Sequence, residues 1–302
     1  MRGLEVRKIF KRIQNRYCAF AFVLALGANF LFSGGPAQGS ADPTTARILS
    51  DVLAKAADYG DRLNRIALYF TCLEEVTETV FEPFRLPFFT SGWKTRRHND
   101  VYDYQLIRMA DIEKIEERRF QVRSNAPKSP AAAVPLTTER FYYKTIVYGP
   151  LGLFGRQAQD LNTYALEKET TEIWGRKACV VKAAPKFPDK ARWLYGRAWI
   201  DKETGGILKI EWDENSLFNY EEIQRIAENL NADPSLRFES QYEFEKNGIR
   251  FPSRYEVRED YRINNYHVFN KASDAAGRII NKSELTVVYR DYKFFTVETT
   301  IK

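Results

Sequence analysis

The chain has 302 residues, a formal net charge of +6, 28% charged residues and an aromatic content of 14%. Two histidines and three cysteines leave little for histidine catalysis and make no disulfide framework. Arg2, Arg7, Lys8, Lys11, Arg12 and Arg16 stand against one acid, Glu5, so removing that leader lowers the charge from +6 to about +1 and takes away the main argument for nucleic acid as a partner.

After the basic stretch, residues 17 to 32 run without a charge and lead into the small-residue segment 33 to 41. Sixteen apolar residues fall short of the roughly 20 that a membrane-spanning helix needs, and no basic stop-transfer flank follows. The pattern is that of a secretory signal peptide over residues 1–41, cleaved after Gly39 or Ala41, with an uncleaved anchor as the alternative. Cys18 opens the apolar run and so cannot be the acylated cysteine of a lipoprotein signal. The processed chain, 42–302, is expected to be an exported, soluble, periplasmic protein in one domain.

Leu49, Val52, Leu53, Ala56, Tyr59, Leu63, Ile66, Ala67 and Phe70 recur at three- and four-residue spacing, which predicts a long amphipathic helix over about 44 to 69. From residue 71 the period changes to 2. Leu236, Phe238, Tyr242 and Phe244 alternate with charged residues, Asn247-Gly248 follows, and Ile249, Phe251, Tyr255 and Val257 alternate again, the pattern of a two-residue β-hairpin. A second hairpin is expected around a Gly175-Arg176 turn. A third joins Trp193 to Ile200 with Ile207 to Trp212 across 201 to 206. Weaker alternating segments at 71–81, 101–109, 112–123, 139–147 and 163–174, with the final run 284–301, bring the expected total to about eleven strands, mainly antiparallel. Asn219 and Glu222 form a capping-box pattern ahead of a short helix that ends before Asp233-Pro234. The stretch 124–138, with Pro127, Pro130 and Pro135, reads as an exposed loop.

No nucleophile elbow, zinc-protease motif, phosphate loop or paired-cysteine motif occurs, and neither His98 nor His267 has a partner pattern. No cofactor or metal is expected. The doublets Glu74-Glu75, Glu116-Glu117 and Asp213-Glu214 put adjacent carboxylates on opposite strand faces, so neither member pair flanks one bond. These charges are expected to face water. Arg250, Arg254, Arg258 and Arg262 share a row with Glu256 and Asp260, expected to be a solvent face held by cross-strand ion pairs. Cys72 and Cys179 leave a disulfide open. Apolar residues cluster instead where proline and glycine break strands: Phe84 and Phe88 within 81–89, and Leu151, Leu153 and Phe154 between Gly149 and Gly155. Such segments either close the core or form a greasy rim around a pocket. The pocket would be lined by Trp193, Tyr195, Trp199, Trp212, Phe244, Phe251 and Tyr255.

The run Gly175-Arg176-Lys177-Ala178-Cys179-Val180-Val181-Lys182-Ala183-Ala184-Pro185-Lys186, with Gly196-Arg197-Ala198-Trp199-Ile200-Asp201-Lys202-Glu203-Thr204-Gly205-Gly206-Ile207 after it, resembles the middle of the LolA/LolB-like outer-membrane lipoprotein-sorting superfamily. Tyr242-Glu243-Phe244, Phe251-Pro252-Ser253-Arg254-Tyr255 and Val288-Tyr289-Arg290-Asp291-Tyr292-Lys293-Phe294 resemble the last strands of its uncharacterised members. The resemblance spans about 165 to 302. It implies an α+β fold, an unclosed β-barrel of about eleven strands wrapped around a long N-terminal helix and a second short helix, with an apolar cavity for acyl chains. It further implies lipid or acylated protein cargo and no covalent catalysis. The alternative is an envelope-stress or protein-interaction module on the same fold, with an envelope protein as partner. An esterase or glycosidase is the third reading, and convergent polar groups in the pocket would distinguish it.

Overall fold

The computed structural model describes residues 42–66, 69–84, 92–109, 114–122, 136, 138–141, 149–191, 193–217, 219–264 and 279–295. The expected signal segment, Phe88, the tail beyond 295 and most of the expected strand 139–147 lie outside them; the described part of that strand, 139–141, is not strand.

Helix α1 spans Pro43–Ile66, about 36 Å at 1.5 Å per residue. Its buried positions, Val52, Ala56, Tyr59 and Leu63, follow the three- and four-residue spacing that puts them on one face. The helix stops three residues earlier than the periodicity predicts, because Tyr69 already opens a strand. Phe70, counted in the helical stripe, is buried in the core from that strand instead.

Ten strands form one unclosed sheet in the order β3-β2-β1-β12-β11-β8-β7-β6-β5-β4. They are β1 Tyr69–Phe84, β2 Gly92–Met109, β3 Lys114–Gln121, β4 Asn162–Ile173, β5 Arg176–Pro185, β6 Gly196–Asp201, β7 Ile207–Trp212, β8 Ala232–Gln241, β11 Arg254–Ile263 and β12 Ile279–Phe294. The remaining pair, β9 Phe244–Lys246 and β10 Ile249–Phe251, makes a small second sheet. Every adjacent pair is antiparallel. The mainly antiparallel, open-barrel α+β architecture is therefore as the sequence implies, with twelve strands described. The last strand enters between β1 and β11, so the sheet is completed only when the C-terminal part of the chain returns to its start.

Both two-residue hairpins turn through positive φ, as a tight antiparallel turn requires: Trp174 at 50° with Gly175 at 72°, and Asn247 at 54° with Gly248 at 73°. The first turn sits one residue earlier than expected. Trp174 is drawn into the turn, and Arg176 becomes a strand residue opposite Ile173. Gly205, at φ 71°, lies where a Cβ would stand 2.5 Å from the Lys55 carbonyl, so its bareness lets α1 lie against the β6–β7 turn. Side-chain hydrogen bonds hold the helix on this side as well. Lys55 Nζ donates to the Lys202 carbonyl, Arg62 Nη2 donates to Thr204 O, and the Tyr59 hydroxyl bonds both the N–H and the carbonyl of Arg250.

The segment Gly149–Phe154, expected as a loop, is a short helix, α2, followed by α3 at Arg156–Leu161. Leu153 and Phe154 are buried in the core rather than standing free at a rim. Helix α4 occupies Tyr220–Leu230. Its expected capping box does not form: Asn219 makes no side-chain cap, and Glu222 turns to Arg140 instead. Cys72 and Cys179 are both buried free thiols.

At the margins, β3 carries Lys114, Glu116, Glu117, Arg118 and Arg119 within eight residues. The opposite edge strand, β4, shifts register twice against β5, between Leu166 and Lys168 and between Lys168 and Thr171.

Candidate functional site

Because side chains alternate along a strand, each strand presents one set of residues to the helix-covered face and the other to the open face. On the covered face the two halves of the sheet differ. From β5 to β7 that face is apolar: Val181, Ala183, Ala198, Ile200 and Ile210 are all fully buried. From β1 to β3 and in β11 and β12 it carries charge.

Glu74 is 0% exposed, which corrects the expectation that the doublet acids face water. Its carboxylate accepts from Arg119 Nε at 2.5 Å, from Arg119 Nη2 at 3.0 Å and from the Tyr289 hydroxyl at 3.1 Å. The Arg119 guanidinium also lies over the Tyr104 ring at 4.9 Å, and the Tyr104 hydroxyl donates to Glu117. Burial, with the nearby carboxylates, pushes the Tyr104 and Tyr289 phenols well above their ordinary range, so both remain donors.

A second cluster surrounds Arg140. Buried Glu78 accepts the backbone N–H groups of Glu139 and Arg140, the shortest at 2.8 Å. Buried Glu259 accepts Arg140 Nε at 3.0 Å and Nη2 at 2.7 Å, together with the hydroxyls of Tyr261 and Ser283. Arg140 Nη1 reaches Glu222 on α4 at 2.9 Å. The carboxylates are thus held by several donors each, as buried charge requires. None of this was read from the sequence, yet one signal was there: Phe70, Cys72, Glu74, Val76, Glu78 and Val80 share one parity, as do Tyr255, Val257, Glu259 and Tyr261. An acid in phase with buried apolar residues is an acid inside.

The open face is a field of ion pairs. Arg254 pairs with Glu256 and Arg258 with Asp260, so the solvent-face expectation holds for this row, but each pair runs along its own strand rather than across strands. Arg250 departs from the row: it is buried, donates to the carbonyls of Tyr242 and Glu243, and pairs with Glu245. Glu239 is buried beneath this surface; burial raises its carboxyl, but hydrogen bonds from Arg237, Gln241 and Lys209 outweigh that and hold it below the ordinary range.

The sequence-selected residues do not converge on one cavity. Trp199 lies on the open face, with Lys209 Nζ 4.8 Å from its ring. Trp193 is half-buried and donates to Asn162 Oδ1, and Tyr195 packs against the edge of the core. Phe251 and Tyr255 are core residues, and Leu151 packs against the core. Phe244 is 37% exposed and stacks on Tyr292 with ring centroids 4.7 Å apart and planes 5° apart. Phe84 closes β1, and its side chain lies outside the described residues.

Trp212 is the exception, because it borders an opening. Strands β7 and β8 pair at only three positions, Lys209 with Gln241, Ile210 with Ser240 and Glu211 with Glu239. Beyond them β7 ends at Trp212, and the chain detours through a 3₁₀ turn at Glu214–Ser216 and through α4 before returning as β8. Strand β8 there follows β11 alone. The sheet parts, leaving a depression of about 180 Å³. Trp212 and Phe238, with centroids 5.8 Å apart, and half-buried Leu236 give it an apolar floor. Lys182, Arg197, Arg237, Glu211 and Asp213 surround it. Gly196 lines it too: a Cβ there would stand 2.1 Å from the Glu211 carbonyl oxygen, so only glycine allows β6 this close to β7. The Trp212 indole N–H donates to Ser240 Oγ at 2.8 Å, which fixes the ring at the edge of the gap.

No protein-family model matches the chain. Nor does any curated protein. Among solved structures, a DUF1329 family protein from Desulfovibrio piger is 11% identical, with 83% of this chain and 95% of that chain covered at a TM-score of 0.32. LprF from Mycobacterium bovis is 9% identical, with 80% of this chain and 93% of that chain covered at a TM-score of 0.20.

Among the described residues no helix is long and apolar enough to cross a membrane, and no group of three or more His, Cys, Asp or Glu side chains is placed to hold a metal ion.

Proposed function

We propose that this chain is an exported envelope protein that binds lipid or the acyl chain of a protein cargo, without covalent catalysis. The observation that carries the reading is the parting of the sheet between β7 and β8, where the buried rings of Trp212 and Phe238 and half-buried Leu236 lie beneath a surface depression. Apolar contact of this kind takes hydrocarbon, and the polar groups around it supply orientation. The signal-type N-terminus and the resemblance of residues 175–210 to lipoprotein-sorting proteins point the same way. The buried acids of the other half are engaged in holding Arg119, Arg140 and the backbone of 139–140. They serve the fold and do not converge on the depression.

Native mass spectrometry of the protein purified from an envelope extract, followed by organic extraction and lipid analysis, tests this. A co-purifying amphiphile at near one-to-one occupancy is the expected result. Apo protein that takes up no added amphiphile would remove the reading. One feature favours an interaction module as the second reading: Phe244 and Phe295, 37% and 57% exposed, leave apolar surface at one end of the sheet. Capture of one specific envelope protein, lost in Phe244→Ser, would select that alternative.

A further inference from the structure

Exposed aromatic side chains gather at one end of the sheet. Trp174 stands in the turn between β4 and β5, Phe244 opens β9 just after β8 ends, and Phe295 follows the last residue of β12. The antiparallel register carries all three to the same end: Ala178 pairs with Asp201, the Tyr242 N–H donates to Leu208 O beside the β6–β7 turn, and Arg254 pairs with both Gln241 and Val288. Glu245, next to Phe244, is close enough to Arg176 to favour its charged form, and Arg176 is two residues from Trp174. The three side chains are 41%, 37% and 57% exposed, and the ring of Phe244 lies nearly parallel to those of Tyr292 and Phe294.

Trp174 is held at a cost. The other non-glycine residues at positive φ among those described are Asn231, Asn247 and Asp291, whose short polar side chains suit the left-handed region. An indole gains nothing there, and its N–H meets no acceptor among the described residues. Strain kept at an exposed ring points to a partner outside the chain. Charge of both signs stands between the rings. Lys177, Lys246 and Lys293 are exposed at this end, as are Glu172, Glu243 and Asp291; these six cancel, which leaves apolar contact as the attraction. The core of a protein interface excludes such charges. The headgroup layer of a bilayer instead takes separate aromatic rings at its boundary, with lysine stems reaching past them to water.

We propose that this end of the sheet docks on a lipid bilayer, with Trp174, Phe244 and Phe295 entering the headgroup layer. The proposal rests on the lipid-binding function and adds the surface at which lipid is met.

Cosedimentation of the full chain, purified after export, with phosphatidylcholine vesicles tests it. Trp174→Asn and Phe244→Ser should each weaken binding about fivefold or more, the scale of partly burying one such ring. Phe187 is the control: it is 65% exposed beyond the other end of β5, and Phe187→Ser should leave binding unchanged. Asn suits the turn, so Trp174→Asn should melt no lower than the parent, which separates lost docking from lost fold. No binding to vesicles, binding unmoved by Trp174→Asn, or an equal loss with Phe187→Ser would each overturn the proposal while leaving amphiphile uptake, read by native mass spectrometry, in place. Capture of one envelope protein through Trp174 in place of vesicles would overturn it too and favour the interaction module. Absence of any co-purifying or added amphiphile would instead remove the function on which it rests.

Discussion

The helix-covered face of this sheet is sealed in two ways. Between β5 and β7 the seal is hydrocarbon, with Val181, Ala198, Ile200 and Ile210 buried without a polar partner. From β1 to β3 and along β11 and β12, buried apolar residues such as Val76, Val257 and Val287 share that face with Glu74 paired to Arg119 and with Glu78 and Glu259 held to residue 140. Hydrocarbon packing is non-directional and tolerates other residues of similar volume. A carboxylate that must meet a guanidinium at a fixed angle tolerates little, and its loss leaves a stranded charge. The second half is therefore where strand register is most tightly specified: slipping β3 by one residue against β2 would turn Arg119 away from Glu74 and expose the error as unpaired buried charge.

Four substitutions put that contrast to the test. The largest effect is expected for Arg119→Ala, which strands Glu74 in the interior and should cost about 3 to 5 kcal/mol in denaturant unfolding. If it costs under about 1 kcal/mol, the charged half is not specified as described. Ile200→Ala in the apolar half should cost about 2 to 4 kcal/mol by lost transfer and a residual cavity, and the same unfolding curves, compared at equal slope, measure it. Next is Asp201→Asn, at about 1 kcal/mol near pH 7 given that Arg176 is partly exposed. Burial raises the Asp201 carboxyl, but Arg176 and the N–H groups of Thr204 and Glu203 overcome that and hold it below its ordinary value near 3.8. Its folded-state value is the lower one, so the stabilisation is present above that ordinary value and lost as the pH falls below it. Melting temperatures of the two proteins should converge in acid, and a gap that persists at pH 2 would contradict the assignment. The smallest effect is expected for Arg258→Ala on the open face, within about 0.5 kcal/mol, since its pair with Asp260 is exposed to water.

The elements of both halves are readable from the sequence, and the buried ion pairs are not. Helix α1 and the hairpins at Trp174-Gly175 and Asn247-Gly248 declare themselves through local period and turn chemistry, to within a few residues. Leu153 and Phe154 look like loop residues because Gly149, Pro150, Gly152 and Gly155 interrupt them, yet they form a helix when the core lies beneath to receive it. The buried acids are harder, since Glu74 finds Arg119 45 residues away and Tyr289 215 residues away. Only parity with apolar neighbours could have flagged them. Of the candidate site, Trp212 was selected for its aromatic ring alone. The gap beside it follows from where β7 stops, which depends on how far α4 displaces the return of the chain.

The two margins of the sheet carry a consequence for life at high concentration. An incoming strand of another molecule would meet five charges in eight residues along β3, or along β4 a backbone whose donors and acceptors fall out of step twice. Neither margin offers the flat, regular template on which strand exchange and fibril growth depend, so the barrel can stay open without recruiting its neighbours.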